Sequence, residues 1–505
     1  METTQTKTEI EFLQFLKRMN NYRQAVALLG WDSRTGAPKK GMIQRAEVIG
    51  TLSSELFQMS TSDELKAYLE SLQSPEVLEG LSEITQKSLD KMQKNYDKNM
   101  KIPAEEYKEF IILRSKSENA WEEAKEKGDF SLFQPYLEKT VEFQRKFVQY
   151  RGFEGHPYNT LLDDYEPGVF VDTLDQVFGE LKEKLIPLVK GVTESAHKPK
   201  TDFLFEHFPK ANQRELSIEI LKVLGYDFEA GRIDETVHPF AMGLNPGDVR
   251  VTTKYNENDF RVSLYGTIHE AGHAIYEQNI SEDLIGTPLC GGTSMGIHES
   301  QSLFTEKFIG QNEKFMERNY PLIKKHSNGQ FDDVSNEDFY FAVNEAKPSL
   351  IRIEADELTY CLHIILRYEL EKALIAGELE VRDLPEAWNN KMEEYLGIRP
   401  SHDGEGVLQD VHWSMGSFGY FPSYALGYIY AAQMKEVIVK DIPHYDDLLL
   451  NGNHTEIREW LTDKVHKYGG LKKPEEIIKD ITGGGIDPQP LVNYLTEKYT
   501  RLYQL

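Results

Sequence analysis

Apolar residues recur at every third or fourth position along most of this chain. Residues 8–29 carry Ile10, Leu13, Leu16, Met19, Tyr22, Val26 and Leu29 in that rhythm. The spacing gathers them on one face of an α-helix. Residues 104–127 and 131–150 repeat the pattern with many charges between the apolar positions. In "TLDQVFGELKEKLIPLVKGVTE" (173–194) the stripe is Val177, Leu181, Leu185 and Leu188, and Thr173 reads as the N-cap. "FPKANQRELSIEILKVLGYD" (208–227) reads the same way, with Gly225 as its stop.

The period changes to two at "DVRVTTKY" (248–255), where Val249, Val251 and Thr253 alternate with Arg250 and Thr252. That is a strand signal, and it lies between the turns "LNPGD" and "NENDF". "GWDSRTGAPKKG" (30–41) reads as a helix-end loop, and "TGGGIDPQP" (482–490) as the loop before the last helix. Neither a repeat period nor a linker divides the chain. The expectation is one domain over 1–505, mostly α, with a small β element near residues 248–255.

Composition narrows the classes. A chain of 505 residues with 40% hydrophobic and 28% charged residues is long enough and apolar enough to bury a large core. Its net charge of −26 repels phosphates, so neither nucleic acid nor an anionic membrane is expected as a partner. Cys290 and Cys361 are too few for a disulfide framework. The N-terminus lacks a basic segment followed by an apolar run, and no apolar stretch is long enough to span a bilayer. The expected location is the cytoplasm.

Chemistry concentrates in "YGTIHEAGHAIYE" (265–277). On a helix, residues i and i+4 share a face, with Cβ atoms about 5–6 Å apart. His269 and His273 can therefore converge on one cation. Glu270 points roughly 100° away, where it can act on a water without being a ligand. Leu264, Ile268, Ala271 and Ile275 form an apolar stripe that can bury the adjacent face. Gly272 costs the helix about 1 kcal/mol relative to alanine, which suggests that something approaches closely there.

Catalytic zinc usually takes three protein ligands and keeps a position open. Downstream of the histidines comes the glycine-rich "GTPLCGGTSMG" (286–296), then "IHESQSLFTEKF" (297–308), with apolar positions at Leu303, Phe304 and Phe308. A helix–loop–helix turn can bring Glu299 beside the histidines as the third ligand. With no third histidine shortly after His273, a metzincin arrangement does not fit.

With these residues in hand, the chain resembles the carboxypeptidase Taq family of zinc metallocarboxypeptidases. The resemblance rests on "HPF" (238–240), "DVRVT" (248–252), "HEAGH" (269–273), "HESQ" (298–301), "IRIEAD" (351–356) and "GVLQDVHW" (406–413). All are intact and in order across a catalytic region at 238–413. The resemblance implies a helical zincin-like fold with two lobes around a deep groove. It also implies release of single amino acids from peptide C-termini with broad specificity, and a homodimer. Carried over, His269, His273 and Glu299 are ligands to one Zn2+ ion, replaceable by Co2+, and Glu270 is the general base and acid.

The tetrahedral oxyanion of such a reaction needs a donor besides the metal. His412, Tyr420 and Tyr424 are the candidates. An exopeptidase also needs a cation for the substrate's terminal carboxylate, and arginine suits that role. Arg352 and Arg250 are the candidates, with Asp356 and Asp248 as their near carboxylates. Gln409 and Asp410 are expected to orient His269 or His412. His238 takes no assigned role, and His326 and His363 read as surface or packing residues. A zinc oligopeptidase or dipeptidyl peptidase of similar helical fold is the alternative among enzymes. A helical interaction protein with structural or no zinc is the alternative outside them.

Overall fold

The computed structural model describes residues 6–505. Helix accounts for 67% of the chain and strand for 3%. Among the described residues, no helix is long and apolar enough to cross a membrane.

The helices form two separate cores. Lys7–Thr35 buries Phe12, Phe15, Leu16 and Met19 against Leu65, Leu69, Leu89 and Met92 of the helices Asp63–Leu72 and Glu83–Lys101. Ile10, part of the expected stripe, is 42% exposed, because the helix turns its bulkier aromatic flank inward. The helix also runs further than its sequence suggests. It continues to Thr35, so the first part of the expected 30–41 loop is helical, and Trp31 packs edge-on against Phe240. The larger core runs from Ala124 to Tyr503 and contains the motif region.

Local signals were mostly obeyed. The helix Lys210–Leu224 ends at Gly225 in a left-handed conformation, with φ 88°. The helix Val171–Glu194 begins three residues earlier than Thr173 as its N-cap would place it. Its cap comes from elsewhere: the Asn159 side-chain oxygen accepts from the Val171 N–H at 2.8 Å. Val177, Leu181 and Leu185 are buried as expected, and Val189 rather than Leu188 completes the row.

The sheet has three strands, β1 (Ile233–Glu235), β2 (Ala241–Asn245) and β3 (Asp248–Thr253), in the order β1-β3-β2. β1 runs parallel to β3, with Ile233 opposite Val251. β2 and β3 form a hairpin around the expected turn, with Ala241 opposite Val251. Val249 and Val251 are fully buried, and the sheet packs on the helix Arg261–Gln278. The Thr267 hydroxyl of that helix bonds Thr253 of β3 at 3.0 Å.

Two glycines position the helix Met295–Leu303. A Cβ on Gly272 would lie 2.3 Å from the Gln301 carbonyl oxygen and 2.6 Å from Ser302 Cα. The helices Arg261–Gln278 and Met295–Leu303 therefore touch backbone to backbone, which only glycine permits. On the other side, a Cβ on Gly427 of the helix Pro422–Asp441 would lie 2.7 Å from Glu299 Cβ. The Ser294 hydroxyl caps Met295–Leu303 by accepting from the Ile297 N–H at 3.0 Å. The chain then continues as a π-helix, Phe304–Gly310, with Leu303, Phe304 and Phe308 buried.

Candidate active site

His269 and His273 project from one face of Arg261–Gln278, while Leu264, Ile268, Ala271 and Ile275 bury the neighbouring stripe. Glu299 reaches both from the facing helix. Its Oε2 lies 3.9 Å from His269 Nε2 and 3.6 Å from His273 Nε2. Ligand atoms of the three residues all lie within 4.8 Å of one another. The gap between the two histidines and the glutamate is closed by the glycine contacts at positions 272 and 427.

Each imidazole is fixed from behind. Glu306 Oε2 lies 2.9 Å from His269 Nδ1, and Lys307 donates to the other Glu306 oxygen at 2.6 Å. Burial opposes ionisation of Glu306, but Lys307 and His269 outweigh it and hold the carboxyl at about 2. His273 Nδ1 meets His298 Nδ1 at 2.6 Å, and His298 Nε2 meets Glu277 at 2.8 Å. One tautomer set satisfies the chain: each Nδ1–H of a ligand imidazole points away from the site, and each Nε2 lone pair points into it. The glycine loop makes room for this relay, since a Cβ on Gly292 would lie 2.5 Å from the His298 ring.

This donor set suits a divalent cation. Two imidazole nitrogens and one carboxylate oxygen match a three-ligand metal site. Burial disfavours a charge on His269, yet Glu299 and Glu306 overcome it and push the imidazole up to about 9. The field at the site thus calls for positive charge. Burial pushes His273 well down, so its imidazole is neutral, as a ligand must be. Glu270 is 7% exposed, and its Oε2 is buried without a partner among the described residues. Burial pushes its carboxyl up to about 7, and a cation beside it would act in the opposite direction.

Glu299 also feels the charge of Arg352 and acts on the phenols of Tyr420 and Tyr424. The Tyr420 and Tyr424 rings are 5.1 Å apart, and the Tyr424 hydroxyl is 3.4 Å from His412 Nε2. Burial, and next the charge of Glu299, raises the Tyr420 phenol; burial, and next Tyr420, raises Tyr424. Burial lowers His412 to about 4, so its imidazole is neutral near pH 7.

Arg352 is held differently from the sequence expectation. It does not pair with Asp356, which instead accepts from the Lys347, Leu358 and Thr359 backbone N–H groups. Arg352 Nε and Nη2 donate to Asp410 Oδ1 at 3.0 and 2.8 Å, and Arg367 Nε donates to Asp410 Oδ2 at 2.7 Å. Gln409 accepts from the Arg352 backbone N–H and from Arg367 Nη2. Asp410 and Gln409 thus grip the two arginines and hydrogen-bond neither His269 nor His412. The reason is geometric: "IRIEAD" packs against "GVLQD" across the fold. Arg352 Nη1 has no partner among the described residues.

Arg250 is held bidentately by Asp248 at 2.7 and 2.8 Å and stands over the Trp31 ring. Its polar contacts are with Asp248, and it lines a cavity of about 510 Å³ with Arg45, Arg232 and Trp31. His238 is exposed. His363 is fully buried beneath Arg367, whose Nη1 donates to its carbonyl, and His326 is buried between Glu215 and Glu219.

Sequence reading missed Glu306, Glu277, Arg367 and Tyr360. Burial, and after it the charge of Glu299, raises the Tyr360 phenol, and its ring lies 6.5 Å from Tyr424. For Glu306 a signal existed: it follows Glu299 by two helical turns, so both carboxyls face the same imidazole. Glu277 also had a local signal, since it follows His273 by four residues on the same helix face; Arg367 and Tyr360 meet the site only through tertiary packing.

Comparison with known proteins agrees with this geometry. Residues 11–499 match the carboxypeptidase Taq (M32) metallopeptidase family. Carboxypeptidase 1 of Bacillus subtilis (strain 168) is 57% identical over 497 residues, covering 98% of this chain and 99% of the relative. Thermostable carboxypeptidase 1 of Thermus thermophilus is 39% identical over 501 residues, covering 97% and 98%. A solved structure of Pyrococcus furiosus carboxypeptidase superposes with a TM-score of 0.95 at 35% identity, covering 99% of this chain and all of that one. A metal-ready cluster, a helical fold and near-complete likeness in length all lead to one assignment: this chain belongs to the carboxypeptidase Taq (M32) family of metallopeptidases, hydrolases that act on peptides.

Proposed function

We propose that the chain is a zinc-dependent carboxypeptidase that releases single amino acids from peptide C-termini with broad side-chain tolerance. The observation that carries this reading is the convergence of His269 Nε2, His273 Nε2 and Glu299 Oε2 beside the unpartnered, buried Glu270 Oε2. His269, His273 and Glu299 would hold one Zn2+ ion, with Co2+ as a workable substitute. The ion supplies Lewis acidity and brings the pKa of a water at the site to about 7.

The chain's own residues do the rest. Glu270 Oε2 accepts a proton from the attacking water and returns it to the departing amine nitrogen. His412, Tyr420 and Tyr424 form one cluster whose two phenols feel the charge of Glu299. The two phenols stay protonated because burial raises them, so their O–H groups are available to donate to the developing oxyanion. Arg352 takes the substrate's terminal carboxylate: Asp410 fixes its plane through Nε and Nη2, and Nη1 is left to donate. We assign this role to Arg352 ahead of Arg250, because Arg352 acts electrostatically on Glu299 and Tyr424. The reading extends to a homodimer in the cytoplasm, on the family resemblance and the low cysteine content.

A time course of amino acids released from free-acid and C-terminally amidated peptides, with and without chelator, tests it. Chelator-sensitive stepwise release from free-acid peptides, with stalling on amidated ones, is expected. Equal cleavage of both would replace it with an oligopeptidase or dipeptidyl peptidase. Absence of both metal and cleavage would leave an interaction protein.

A further inference from the structure

Glu166 is a buried carboxylate, 1% exposed, on a segment far in sequence from every motif described above. Its Oε2 accepts from the Gly296 N–H at 2.8 Å, and its Oε1 accepts from the Tyr430 hydroxyl at 3.0 Å. Gly296 lies in the first turn of Met295–Leu303, the helix that presents Glu299. The residue before Glu166 grips the same turn, since the Met295 N–H donates to the Tyr165 carbonyl at 3.0 Å.

The spacing gives this contact its meaning. Gly296 and Glu299 are i and i+3 on one helix, so they share a face. Gly427 and Tyr430 are i and i+3 on Pro422–Asp441 and also share a face. Gly427 presses on Glu299, and Tyr430 reaches Glu166, which reaches Gly296. The two helices thus meet at two points one turn apart, a glycine contact at the ligand and a carboxylate bridge above it. A Cβ on Gly296 would lie 2.5 Å from Glu166 Oε2, so a larger residue there would displace the carboxylate from the turn. The free N–H groups of a helix's first turn need acceptors when buried, and a negative charge there is favoured by the helix dipole.

We propose that Glu166 is a positioning residue for the metal ligand Glu299. It sets the rotation and height of the ligand helix against Pro422–Asp441, and through that the distance from Glu299 Oε2 to the two imidazoles. Tyr165 extends the same anchor to the reaction side, because its ring packs edge-on against Tyr420 at 5.0 Å. Burial holds the Glu166 carboxyl up at about 7, and either protonation state keeps an acceptor for Gly296 while Tyr430 turns its hydroxyl.

The proposal rests on the metal-site reading above, and its test separates the two. Zinc dissociation constants are measured by competition with a chromophoric chelator for the full-length wild type, Glu166→Gln, Tyr430→Phe and Glu299→Ala, with thermal unfolding of each metal-free protein alongside. Expected are zinc binding about tenfold weaker in Glu166→Gln and several-fold weaker in Tyr430→Phe, with a loss in kcat that exceeds any change in KM. Because Tyr430→Phe removes a single hydroxyl, it keeps the test decisive if Glu166→Gln does not fold. Zinc affinity within twofold of wild type in the folded variants, with a lowered unfolding temperature, would overturn the proposal and leave Glu166 a packing residue. Zinc affinity unchanged in Glu299→Ala would instead overturn the ligand assignment itself.

Discussion

Glu299 and Glu306 address opposite nitrogens of one imidazole. Glu299 Oε2 lies 3.9 Å from His269 Nε2, and Glu306 Oε2 lies 2.9 Å from its Nδ1. The π-helix that follows Met295–Leu303 widens the turn between them, and Lys307 keeps Glu306 ionised. One carboxylate faces the cation site while the other fixes the ring that serves it.

Removing that support should cost metal before it costs fold. Glu306→Ala is expected to weaken zinc binding about 10- to 100-fold, the usual effect of losing such an outer partner. Equilibrium competition with a chelator reads this directly. Affinity equal to wild type would mean that Glu306 does not orient His269.

Glu270 should be separable from the ligands. Glu270→Gln keeps the shape of the side chain and is expected to retain stoichiometric metal while kcat falls by about 10²–10⁴-fold, the worth of a positioned general base. Metal content and steady-state kinetics on a free-acid peptide decide it. Full activity with bound metal would remove Glu270 from proton transfer.

Asp410 is a buried carboxylate between two guanidiniums. Burial works against its charge, but Arg367 and Arg352 hold it well below the usual carboxylate range. Asp410→Asn leaves Arg367, fully buried, and Arg352, nearly so, without their shared counter-charge. A loss of about 3–5 kcal/mol is expected in urea unfolding, as for removing one partner from a buried ion pair. A variant as stable as wild type would show that the arginines find other partners.

Glu371 offers a test by pH. It is fully buried and accepts from Trp413 Nε1 at 2.7 Å, the Gly419 N–H at 2.9 Å and the Tyr158 hydroxyl at 2.5 Å. Burial still raises its carboxyl to about 7. Unfolded, a glutamate titrates near about 4.3. The folded state therefore binds the proton more tightly, its contribution is full below the unfolded value, and stability is lost as pH rises towards 7. The unfolding temperature of wild type minus that of Glu371→Gln should decline across this window and level off above it. The difference is the right measure, because neutral buried histidines such as His412 slope the raw curve the other way. A flat difference would mean that Glu371 ionises at ordinary pH.

What the sequence determined by itself is whatever depends on neighbours along the chain. Helical periodicity announced the fold class, Gly225 announced a helix end, and i, i+4 spacing put His269 and His273 on one face with Glu270 beside them. Gly272 signalled a close approach, though not to what. Local geometry follows from covalent connection and from which face must be buried, and both are written in residue order. What only the tertiary structure decided is every partner brought in from a distant segment. Arg352 met Asp410 rather than its neighbour Asp356, Asn159 rather than Thr173 capped a helix, and Glu166 came from outside all the motifs to hold the turn that carries Glu299. Those pairings depend on how helices rotate and slide against one another. That is settled by packing over the whole core, at glycines such as Gly272, where two backbones meet, and Gly427, where a helix meets the Glu299 side chain, and no single stretch of sequence encodes it.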